Sequence, residues 1–71
     1  MNEDDIAAAI TSARQAGYSV SPWPVKRGGG VLVYDAPAGF WMLVGCKSER
    51  WREAWGVYGN VEAIGDVRIQ P

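Results

Sequence analysis

KSERWREAWGVYGN, residues 47–60, holds two of the chain's four tryptophans, and its reading decides the fold. As a helix, it would take Ser48 as N-cap and Glu49 in its first turn. Trp51, Ala54, Trp55 and Tyr58 would then share one face, with Arg50, Arg52 and Glu53 opposite. As a strand, Trp51, Glu53, Trp55 and Val57 would share one face, with Arg50, Arg52 and Ala54 on the other. Helical periodicity is slightly cleaner over 48–55. The tail AWGVYG favours a strand, because glycine weakens a helix interior and its neighbours are β-prone. KSER is turn chemistry after an apolar run. The strand reading is therefore preferred, with residues 48–58 as a third meander strand and the helix as its alternative.

Upstream of this stretch lies a clear hairpin. VLVYD (31–35) and FWMLVGC (40–46) are rich in β-branched and aromatic residues, and APAG between them is turn chemistry. The pleat places Val31, Val33, Phe40, Met42, Val44 and Cys46 on one face. Leu32, Tyr34, Trp41 and Leu43 fall on the other. Both faces are apolar, whereas a half-solvated antiparallel sheet alternates apolar and polar residues. One helix covers one face. The other needs residues 48–71, a second copy of the chain or a different protein to cover it.

The helix comes first in the chain. Asn2 is a capping residue, and Glu3, Asp4 and Asp5 fall where the positive end of a helix dipole favours them. Ile6, Ala9, Ile10, Ala13 and Ala16 recur at helical spacing, and Gly17 suits the position after the last turn. The spacing predicts a helix over about 3–16. In the next stretch, Pro22 and Pro24 flank Trp23, which makes it extended and suited to an edge or a loop. Lys26 to Gly30 reads as a mobile loop. After Gly59, Asn60 could cap a short helix over VEAIG, or Gly59-Asn60 could turn a hairpin. Val67 and Ile69 alternate with polar residues, as in a short last strand. The fold class expected is α+β: an N-terminal helix on an antiparallel meander of three to four strands, with a short second helix near the C-terminus.

Composition narrows the function classes. Seventy-one residues make one domain, which buries roughly 60% of the surface its unfolded chain exposes. Cys46 is the only cysteine, so no disulfide forms within the chain, and a lone thiol suits a reducing cytoplasm. The start, MNEDD, is acidic and unlike a secretory signal. No apolar run approaches the ~20 residues that a spanning helix needs. Histidine is absent, which removes the commonest general base and metal ligand. No metal-ligand cluster and no cofactor motif remains. GCKS (45–48) departs from a phosphate-binding loop, because Cys46 stands where that loop needs glycine. Gly28-Gly29-Gly30 precedes a strand, not a helix, so it is no dinucleotide fingerprint. The carboxylates Asp35, Glu49, Glu53, Glu62 and Asp66 are better read as solvated surface than as an acid/base pair. The chain is therefore expected to be non-catalytic, with no cofactor and no metal.

Four tryptophans in so short a chain are the strongest remaining signal. Two or three of them supply core bulk, and one or two are free to anchor a partner. The expected function is a small protein-binding module, a stoichiometric inhibitor or adaptor of the phage or mobile-element type. Its partner-binding residues would be Tyr34, Trp41, Lys47, Arg50, Trp51, Arg52 and Trp55, with Arg50 and Arg52 as the polar rim. A subunit that completes a larger assembly would look the same in sequence. Nucleic-acid binding is the alternative, with Lys and Arg tracking a backbone and Trp stacking on bases. The net charge of −1 weighs against it.

Overall fold

The structure, a computed structural model, describes residues 1–46 and 48–65. In chain order the elements are α1 (Glu3–Gln15), β1 (Val20–Trp23), a 3-10 turn at Val25–Arg27, β2 (Gly30–Asp35), β3 (Phe40–Val44), α2 (Trp51–Tyr58) and β4 (Val61–Gly65). The strands form one sheet in the order β1-β2-β3-β4. β1 pairs antiparallel with β2, and β2 with β3, but β4 runs parallel to β3. The class is α+β, with a mostly antiparallel sheet and a helix on each face.

The first helix starts and stops where its sequence directs. Asn2 Oδ1 accepts the Asp5 N–H at 2.8 Å, and three acidic residues fill the first turn. Gly17 takes φ 90°, and the Tyr18 N–H closes on the Ala13 carbonyl at 3.0 Å. β1 is an edge strand, which is where Pro22 costs no ladder hydrogen bond. The β2–β3 hairpin has the expected register, with Leu32 opposite Leu43 and Tyr34 opposite Trp41. Its turn is closed by the Gly39 N–H on the Asp35 carbonyl at 2.8 Å.

Residues 51–58 form a helix, and the preferred strand reading is overturned. The reason is tertiary. Trp51, Ala54 and Tyr58 lie one and two turns apart and pack on the face that carries Leu32 and Leu43. Gly56 costs such a helix about 1 kcal/mol, but burial of its inward face outweighs that local preference. VEAIG is accordingly a strand, not the second helix, because α2 serves as the crossover that a parallel β3–β4 pair requires. The last strand expected around Val67 and Ile69 lies outside the described residues.

The two helices answer the question of the second apolar face. α1 covers one side, where Ile6 packs with Val31, Val33 and Val44, flanked by Met1, Ala9, Ile10, Val20 and Met42. α2 covers the other, where Trp23, Leu32, Leu43, Cys46, Ala54 and Val61 form the larger cluster. Cys46 sits on the face opposite to the one its parity predicted. β3 ends at Val44, and Gly45 at φ 80° breaks the alternation before Cys46. The segment from Lys26 to Gly30 is also more ordered than a free loop. The Arg27, Gly28 and Gly29 N–H groups bond to the Pro24 and Val25 carbonyls, and Gly30 already belongs to β2.

Candidate functional site

α2 and its N-cap carry four of the seven residues singled out in the sequence, Arg50, Trp51, Arg52 and Trp55, and sort them onto different sides. Its inward face is Trp51, Ala54 and Tyr58. Its N-terminal flank is tied to the turn that follows β1. Arg50 Nη1 donates to the Lys26 carbonyl at 2.9 Å, and the Ser48 hydroxyl donates to the Arg27 carbonyl at 3.4 Å. Glu53 stands between two guanidinium groups, with Arg27 Nε at 3.8 Å and Arg50 Nε at 3.9 Å. The Trp23 indole completes this clasp, donating to the Arg27 carbonyl at 2.9 Å while the Arg27 guanidinium lies 5.7 Å from its ring centre.

The start of α2 lacks a side-chain cap on its N-cap residue Arg50. Ser48, the expected cap, acts two residues earlier than a cap would, by accepting the Arg50 N–H at 3.4 Å. The clasp therefore holds the end of the helix that its own capping leaves weak.

The opposite flank is open. Trp55 is 54% exposed, although it follows Trp51 by one turn. Trp51, Arg52 and Trp55 line a shallow depression of about 350 Å³. The Arg52 guanidinium lies 5.7 Å from the centre of the Trp51 ring. Helical geometry separates Arg52 from Arg50 by about 200°, so the two arginines serve different flanks. Arg50 belongs to the clasp, and Arg52 belongs to the depression.

The remaining expected contacts distribute as follows. Tyr34, Trp41 and Tyr58 form an aromatic row from the β2–β3 hairpin to the last residue of α2, with ring centres 5.1 Å and then 5.4 Å apart. The Tyr58 hydroxyl reaches the Ser21 hydroxyl at 3.2 Å, which ties α2 to the edge strand β1. Tyr34 and Trp41 are half-buried in that row, not at the Trp55 flank. Lys47 lies outside the described residues. Of the four tryptophans, Trp23 is buried, Trp41 and Trp51 are half-buried against the core, and Trp55 is exposed. The sequence reading missed the role of Arg27 and Glu53, because a contact between residues 26 apart leaves no local pattern.

Among the described residues, no group of three or more His, Cys, Asp or Glu side chains is placed to hold a metal ion. No described helix is long and apolar enough to cross a membrane. A second depression, of about 420 Å³, lies where the end of α1 meets the β2–β3 turn and includes Tyr18, Asp35 and Met42. Asp35 is engaged there in its own turn, accepting the Ala38 N–H at 3.2 Å. No family model, no curated protein and no solved structure matches the chain.

Proposed function

We propose that this chain is a small non-catalytic protein-binding module, a stoichiometric inhibitor or adaptor that occupies a surface of a larger protein. The observation that carries the reading is Trp55, exposed beside Arg52 and Trp51 on the outer flank of α2. An exposed indole next to an arginine is the pairing that most often dominates a binding interface. The flank is shallow and open, which suits a protein surface better than a small molecule. Both sheet faces carry a helix of the same chain, so the need for cover no longer argues for a second copy. A free, buried Cys46 fits a reducing cytoplasm as the place of work.

Nucleic-acid binding has weaker support. Arg27 and Arg50 are drawn together around Glu53 and do not form a free basic track. The test is a tagged pull-down from host lysate, with and without nuclease, run beside Trp55→Ala and Arg52→Glu variants. The expected result is a protein band that survives nuclease and weakens in both variants. Capture that is lost on nuclease treatment, or is indifferent to both substitutions, overturns the reading.

A further inference from the structure

The fold places two arginines over tryptophan rings, and they differ in one respect. Arg27 lies 5.7 Å from the Trp23 ring centre and meets the Glu53 carboxylate at 3.8 Å. Arg52 lies 5.7 Å from the Trp51 ring centre, yet among the described residues it meets no carboxylate. A guanidinium laid on an indole keeps its planar fork of donors while losing little freedom. Such a fork is matched to a carboxylate, and within this molecule the Arg27 guanidinium already has the Glu53 carboxylate beside it, at 3.8 Å. Beside Arg52 the wall is apolar: Trp51 and the exposed Trp55, one turn apart along α2.

We propose that this flank takes an acidic protein segment. An Asp or Glu of the partner would sit on the Arg52 guanidinium, and a large apolar side chain next to it would pack against Trp55. The partner would supply to Trp51 and Arg52 what Glu53 supplies to Trp23 and Arg27. The proposal rests on the protein-binding reading and adds the chemistry of the partner to it. Charge complementarity favours this occupant over a basic or neutral segment, because among the described residues Arg52 is the charged group that lines the depression.

The experiment is selection of a random displayed peptide library on the purified full chain, followed by affinity measurement on synthetic copies of the enriched peptides. Enriched sequences are expected to pair Asp or Glu with a neighbouring large apolar residue. Their affinity should fall about tenfold or more in Arg52→Glu and in Trp55→Ala. Reversal of the peptide's acid to lysine should restore part of the loss in Arg52→Glu. Circular dichroism of both variants checks that the fold is intact. Peptides that need Trp55 but are neutral or basic, or that bind Arg52→Glu unchanged, overturn the acidic partner and leave the protein-binding reading standing. Failure to enrich any peptide that needs Trp55 overturns both. So does a single-stranded oligonucleotide that binds at the same flank with loss in Arg52→Glu.

Discussion

At the scale of single residues, two glycines make opposite demands. A Cβ on Gly30 would stand 2.7 Å from the Val44 carbonyl oxygen and 3.1 Å from the Cys46 nitrogen. Both are backbone atoms, one at the end of β3 and one just beyond it, so neither can swing aside. Gly30→Ala is expected to cost about 1–3 kcal/mol, read as a lower urea midpoint at constant slope. A variant as stable as the parent would mean that the strands separate more easily than this contact implies. Gly56 is the reverse case. It lies inside α2, and among the described residues nothing beyond its own helix backbone comes within 4 Å of where a Cβ would stand. Gly56→Ala is expected to gain about 0.5–1 kcal/mol in the same assay, because alanine loses less backbone freedom in a helix. Neither role was legible in the sequence. Gly30 looked like the end of a flexible triplet, and Gly56 counted against the helix that it belongs to.

At the scale of elements, α2 has an inner face that tolerates little and an outer flank that tolerates much. Ala54 is fully buried against the sheet. Ala54→Leu should overpack that contact and cost about 1–3 kcal/mol, whereas Trp55→Ala should change stability by no more than ~0.5 kcal/mol. Thermal unfolding followed by circular dichroism separates the two, and a large loss in Trp55→Ala would place that indole in the core. The clasp at the start of the helix is weaker. Glu53 is about half exposed, at 47%, and faces two guanidinium groups near 4 Å. Glu53→Gln should cost below ~1 kcal/mol, with the difference shrinking as salt is raised from low to molar concentration. A loss that is indifferent to salt would indicate packing, not charge. α1 needed no such tertiary argument. Its cap, acidic first turn, apolar spacing and terminal glycine all point the same way, which is why its bounds were readable.

For the molecule as a whole, the central strands carry both cores. Leu32 and Leu43 face each other across β2 and β3 on the α2 side, and Val31, Val33 and Val44 hold the α1 side. A domain of this size has little stability to lose, toward the low end of about 5–15 kcal/mol. Leu43→Ala should remove about 2–5 kcal/mol of it and leave a substantial unfolded fraction at 37 °C. Denaturant unfolding in buffer and circular dichroism at that temperature would check this. A well-folded variant would show that the two helices hold the sheet without this side chain. The sequence by itself determined α1, the extended character of the stretch around Trp23, the β2–β3 hairpin and the two-sided apolar sheet, because each rests on contacts or preferences close along the chain. It offered Tyr34, Trp41, Lys47, Arg50, Trp51, Arg52 and Trp55 as candidate contacts without dividing them. Tertiary structure alone decided that 51–58 is a helix, that β4 runs parallel to β3, and that Arg50 is held in a clasp while Arg52 faces outward. Those outcomes depend on which side of the sheet still needed cover, and the local preferences of WREAWGVY are too evenly balanced to reveal it.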